Sequence, residues 1–211
     1  MATPQLALSW FLGFDSLMEF IGLAIAFAVA YQALKGYRLS KERTLLYLHF
    51  SFVLLGVGLL VDGLASLVVL VSHFLRTLLY LYALGYTINF IAQVVAYSIL
   101  VVAYLQQTRT VSNQFAAVAA VSLLFFERNA ITELILIFLL VYITAQTAMN
   151  YSISKSTNTM LVFGAFASLS LAHFFFLMFI LVPIFFPLAH IAQLLGFLLL
   201  LAMLFRVNRR P

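Results

Sequence analysis

The chain has 211 residues, of which 65% are hydrophobic and only 8% charged, and its mean hydropathy is +1.15. Soluble domains carry roughly a quarter of their residues as charges, so this composition excludes a water-soluble globular fold and makes lipid the solvent. The absence of Cys removes disulfides, thiolate ligands and thiol nucleophiles, and the net charge of +5 is too localised along the chain to mark a nucleic-acid binder.

Taken in order, Met1 to Trp10 is uncharged and shows no small-residue cleavage pattern, so the first apolar run is expected to be a retained span. Only helices or closed barrels satisfy their backbone groups in lipid, and a helix needs ~20 apolar residues to cross. The apolar runs predict an all-α, polytopic membrane fold. Its seven transmembrane helices lie near 16–34, 45–71, 78–105, 111–126, 131–149, 159–182 and 188–206, in one integral membrane domain over 1–211. Ser112, Asn113 and Gln114 make the first turn of the fourth span polar, and Pro183 to Pro187 reads as a turn between the last two.

Alternating spans place Lys35, Arg38, Lys41, Arg43, Arg109, Lys155, Arg206, Arg209 and Arg210 on one side, and only Arg76 and Arg128 on the other. The positive-inside rule then puts the N-terminus outside and the C-terminus in the cytoplasm, as in a multi-pass cell-membrane protein. Trp10, Tyr80 and Tyr82 near the outer boundary, and Tyr37 and Tyr47 near the inner one, fit interfacial belts.

Two internal echoes run through the chain. Ile91-Ala92-Gln93-Val94 returns 100 residues later as Ile191-Ala192-Gln193-Leu194. Glu19, Ile21, Gln32, Tyr37, Ser40 and Lys41 return at a spacing of 114 as Glu133, Ile135, Gln146, Tyr151, Ser154 and Lys155. The echoes divide the chain into repeat blocks of about 16–107 and 130–208 with a linker helix over about 111–126. Seven spans give a parallel repeat of helices 1–3 and 5–7. This layout resembles that of the SWEET sugar transporters, which implies two triple-helix bundles around a solute site. The residues depart from that family in two places: spans one and five contain no Pro, and Asn89 of span three has Ala189 as its counterpart in span seven.

Polar residues inside the spans are the functional candidates. Ser16-x-x-Glu19 has the form of a capping box at the start of the first helix, with Asp15 beside it. Asp62 lies eleven residues before His73, hence ~16 Å below the outer end. Asn89 reaches a comparable depth on the next helix, and Tyr86 and Gln93 share its face. Asp62, Tyr86, Asn89 and Gln93, with His173 and His190 near the last hairpin, form the expected ligand-binding or proton-linked pocket, against the alternative of simple interhelical hydrogen bonding. Glu19, His73 and Glu133 are expected as an outer rim.

No catalytic residue is assigned, because phosphate loops, His-Glu-x-x-His and Gly-x-Ser-x-Gly are absent from the sequence. The three lysines all sit at the inner face, which removes a retinal Schiff base. A zinc site from His73, His173 and His190, completed by water or Asp62, lacks short ligand spacing, so no metal is assigned. The leading reading is a non-catalytic, sensor-like receptor or partner-binding subunit with a small polar pocket in the outer half. The last span, with His190 near its start, a Leu run and Arg206, is similar in texture to multi-span prokaryotic sensor domains. That similarity implies a partner in the bilayer, a second membrane subunit or a cytoplasmic output protein. A small-solute transporter and a b-type haem electron-transfer protein are the alternatives, the latter opposed by the unequal depths of the four histidines.

Overall fold

A computed structural model of the chain describes residues 4–71, 75–108 and 130–209. Among these residues there is no strand, and six helices are long and apolar enough to cross a membrane. They are α1 (Pro4–Ser40), α2 (Arg43–Val71), α3 (Leu75–Thr108), α4 (Ala130–Ser154), α5 (Thr157–Phe179) and α6 (Phe185–Asn208). The architecture is that of an all-helical, multi-pass integral membrane protein. The expected fourth span at 111–126 lies outside the described residues, as does His73.

Helix ends depart from expectation where the sequence lacks a stop signal. α1 begins at Pro4 rather than near residue 16. Proline suits a first helical turn because its missing N–H is not needed there, and nothing between it and Ser16 breaks the helix. Ser16 is therefore mid-helix and caps nothing; its hydroxyl donates to the Gly63 carbonyl of α2 at 3.1 Å. Pro187 likewise falls in the first turn of α6, while the turn between α5 and α6 occupies residues 180–184.

The two described connections following α1 and α4 end their helices in the same way. Lys41 has φ 61° and Lys155 φ 47°, both left-handed. The Lys41 N–H donates to the Tyr37 carbonyl and the Lys155 N–H to the Tyr151 carbonyl, each at 2.8 Å. Ser40 and Ser154 return their hydroxyls to the carbonyls of Gly36 and Asn150, each at 3.0 Å.

Each helix packs on the next, α3 meets α4, and α6 closes back on α1, so the six form a ring. Its interior is filled by Phe52, Tyr97, Phe166, Phe197 and a Leu-rich layer, all buried, while Phe27, Val57, Phe138, Val141 and Leu198 face outward. Apolar side chains on both surfaces are what a bundle in lipid requires, where close packing replaces the hydrophobic effect as the force between helices. Small residues supply that closeness. A Cβ on Gly85 would stand 2.5 Å from the Ala65 Cβ, and one on Gly196 would stand 2.9 Å from the Ala165 carbonyl.

The starts of α1, α3, α4 and α6 gather with the ends of α2 and α5 at one end of the ring, as the contacts Asp15–Ser66, Asp15–His190, Tyr86–Glu133 and Glu133–His173 require. The opposite end carries Lys35, Arg38, Lys41, Arg43, Lys155, Arg206 and Arg209. Polar interior and basic surface are thus at opposite ends.

Candidate functional site: a buried polar pocket

Apolar helices tolerate an ionisable side chain only where the bundle surrounds it. Here Asp15, Glu19, Asp62, Glu133, His173 and His190, all buried, line one pocket together with Tyr86, Asn89, Gln93 and Gln193. The space left among them is about 20 Å³, enough for a water-sized guest and too small for a sugar.

Spacing on each helix explains the convergence. Asp15 and Glu19 are i and i+4 on α1, Tyr86, Asn89 and Gln93 fall on one face of α3, and His190 and Gln193 are i and i+3 on α6. On the α2–α3 side, Asn89 Nδ2 donates to Asp62 Oδ2 at 2.8 Å and Gln93 Nε2 donates to Asn89 Oδ1 at 3.1 Å. Asp62, Asn89 and Gln93, grouped from the sequence as pocket residues, are thus joined in one hydrogen-bonded chain. Gly58 makes room for it, since a Cβ there would come within 2.7 Å of Asn89 Oδ1.

A second chain crosses between the first three helices and the last three. The Tyr86 hydroxyl shares a hydrogen bond with Thr132 Oγ1 at 3.0 Å and donates to Glu133 Oε1 at 3.3 Å. Glu133 Oε2 lies 2.9 Å from His173 Nδ1, whose other ring nitrogen meets the Tyr97 hydroxyl at 3.5 Å. A third cluster closes the ring. Ser66 Oγ donates to Asp15 Oδ2 at 2.8 Å, and Asp15 Oδ1 faces His190 Nε2 at 3.3 Å without the alignment of a hydrogen bond.

Aromatic rings lie between the pocket and the near end of the bundle. Phe11 stacks on Phe186 and Phe179 at 4.2 and 5.7 Å, and the edges of Phe14, Phe176 and Phe186 hold the His190 ring at 5.8, 5.1 and 4.7 Å. At the other end of the bundle a cavity of about 210 Å³, mostly apolar, runs between Glu42, Leu48, Tyr104, Phe166 and Met203. The Phe52–Phe197 contact and the leucines around it lie between the two spaces.

Several expectations need correction. Glu19 and Glu133, expected at an outer rim, are each 5% exposed and line the pocket itself. Asp15, taken with the supposed cap, is also a pocket residue, because α1 starts twelve residues earlier than a cap at Ser16 would demand. Tyr97, the partner of His173, was missed. Its place one turn beyond Gln93 on the same face of α3 is the signal that could have found it. Among the described residues, both His173 ring nitrogens have polar partners and the space beside His190 is water-sized.

Fold and site together define a multi-pass membrane protein with a buried, acid-rich pocket. Comparison with protein-family models, with curated proteins and with solved structures finds no match to this chain.

Proposed function

We propose that the chain is a non-catalytic integral membrane receptor for a small cation, built from two like-oriented helical triplets with the pocket between them in the outer half. The observation that carries this reading is the imbalance inside the pocket: four carboxylates and two histidines, with no Lys or Arg among the lining residues. Buried carboxylates in excess of their bases are costly in a low dielectric, and a bound cation is the economical way to offset them.

The triplet plan has separate support. α3 and α4 start at the same end of the ring, an arrangement in keeping with the seven-span plan read from the sequence. Paired burial also supports a parallel repeat. Gln93, Ala96, Tyr97 and Leu100 are buried while Val95 is exposed, and Gln193, Gly196, Phe197 and Leu200 are buried while Leu195 is exposed. The basic end then faces the cytoplasm, with the N-terminus outside. Single-cysteine labelling is clean in a chain without Cys. Lys41→Cys and Lys155→Cys are expected to react from the cytoplasmic side and Ile184→Cys from outside; labelling of the two lysine positions from opposite sides would break the plan.

The receptor itself is tested by melting the purified protein in detergent against Na⁺, K⁺, Mg²⁺, Ca²⁺, Mn²⁺ and Zn²⁺ at constant ionic strength. A saturable rise in melting temperature with at least one of them is expected, and indifference to all six removes the reading. The output of such a receptor would pass to a second membrane subunit or a cytoplasmic protein. In-membrane cross-linking should recover that partner in fixed proportion. The cavity at the basic end favours a second reading, a small-solute transporter of SWEET-like layout. It predicts proteoliposome uptake that Asp62→Asn alters.

A further inference from the structure

We infer that Asp15, Glu19 and His190 form a site for one divalent first-row transition metal at the seam between α1 and α6. This rests on the cation-receptor reading and names the cation class. One ligand atom from each residue lies within 4.8 Å of those of the other two. Ligand atoms on a tetrahedral ion with bonds of ~2.0–2.2 Å stand ~3.3–3.6 Å apart. Asp15 Oδ1 and His190 Nε2 are already 3.3 Å apart, and closing the rest of the set on an ion takes a movement on the order of 1 Å. All three are at least 95% buried, at 4%, 5% and 3% exposure.

The surroundings point the same way. Ser66 Oγ occupies one oxygen of Asp15 and leaves Oδ1 towards His190, which is how an outer partner orients a ligating carboxylate. His190 Nε2 is buried without a hydrogen bond and faces that oxygen, and three phenylalanine rings fix the imidazole plane. From a different helix, Gln93 lines the same pocket with a buried Oε1 that also has no hydrogen-bond partner, a further oxygen donor.

Charge and ligand type select the ion. Two carboxylates and a neutral imidazole match a dication, so the occupied site is neutral inside the bilayer. An imidazole ligand favours transition metals such as Zn²⁺ and Fe²⁺ over Mg²⁺ and Ca²⁺, which take oxygen ligands. Because Asp15 and Glu19 come from the first triplet and His190 from the second, the metal would tie the two together. Occupancy would thereby become a packing change that a partner could read.

The test uses full-length protein, stripped with a chelator and titrated with Co²⁺, Zn²⁺, Mn²⁺ and Na⁺. One equivalent of Co²⁺ is expected to give a visible absorption band that Zn²⁺ displaces. His190→Gln and Glu19→Gln should abolish the band, and Ser66→Ala should weaken binding about 10–100-fold. Circular dichroism and gel filtration establish that each variant is folded, and should either of the first two fail, Ser66→Ala decides alone. An unchanged band in His190→Gln, or unchanged affinity in Ser66→Ala, overturns the site. Stabilisation by Na⁺ with no transition-metal binding overturns it while leaving the cation receptor standing, and no response to any ion removes both.

Discussion

The first three helices and the last three described ones bring different chemistry to the same pocket. α1 to α3 bring to the pocket three carboxylates, Asp15, Glu19 and Asp62, with the amides of Asn89 and Gln93; α4 to α6 bring Glu133, both histidines and Gln193. The last three hold their carboxylate within their own set, since His173 Nδ1 lies 2.9 Å from Glu133 Oε2. The first three have no base among their pocket residues and meet one only across the seam, at His190. Positions one hundred residues apart differ in polarity and are alike in burial: Tyr86 and Phe186, Asn89 and Ala189, and Tyr97 and Phe197 are all at most 9% exposed. Packing demands bind both halves equally, whereas the polar atoms needed at the centre can be supplied by either.

If this division is right, the Glu133–His173 pair is where a single change costs most. His173→Ala is expected to destabilise by about 3–5 kcal/mol, because it strips a buried carboxylate of its partner. Replacing both, as Glu133→Leu with His173→Leu, should recover most of the loss, since a well-packed apolar pair is commonly neutral or better. Reversible unfolding in mixed micelles gives both values. A double variant as unstable as the single one would mean that Tyr86 and Tyr97 also depend on the pair, and the last three helices would not be self-sufficient.

Close packing provides the next effect and should be alike in the two halves. Gly58→Ala presses on Asn89 Oδ1 and on the Ala92 Cβ at 2.9 Å, and Gly196→Ala presses on Leu169 at 2.8 Å and the Ala165 carbonyl. Each is expected to cost about 1–3 kcal/mol, the usual range for overpacking. Gly58→Ala alone should also disturb the Asp62–Asn89–Gln93 chain, visible as a weaker response to whichever cation stabilises the wild type. Equal cation responses in the two variants would separate that amide chain from the pocket's function.

How much of this was legible beforehand follows from what a sequence encodes directly. Hydropathy dictates helices in lipid, and the i, i+3, i+4 spacing around Asn89 dictates a shared face, so Asp62, Tyr86, Asn89 and Gln93 could be grouped before any coordinates. His173 and His190 could be placed near one end by their distance from Pro183. Glu19 was harder: with Ser16 three residues ahead of it, the local pattern reads as a cap, and only the uninterrupted run back to Pro4 contradicts that. Which face of α1 turns inward depends on contacts with α2 and α6 far along the chain, such as Ser66 and His190, and single-chain periodicity is weak in helices that are apolar all round.

The smallest effect bears most directly on the proposed common plan. Lys41 and Lys155 both hold left-handed backbone, which an L-residue adopts at a cost of roughly 1–2 kcal/mol and glycine without penalty. Lys41→Gly and Lys155→Gly should therefore each stabilise by about 0.5–1 kcal/mol after the greater unfolded-state freedom of glycine is subtracted. Asn at either position, tolerant of the same φ, serves as a control for the lost charge. Since each lysine closes its turn through the same 2.8 Å bond to a tyrosine carbonyl four residues back, the two gains should agree within experimental error. A gain at one site and a loss at the other would show that the matched turns differ in energy, and hence that likeness of backbone does not extend to likeness of role between the two halves.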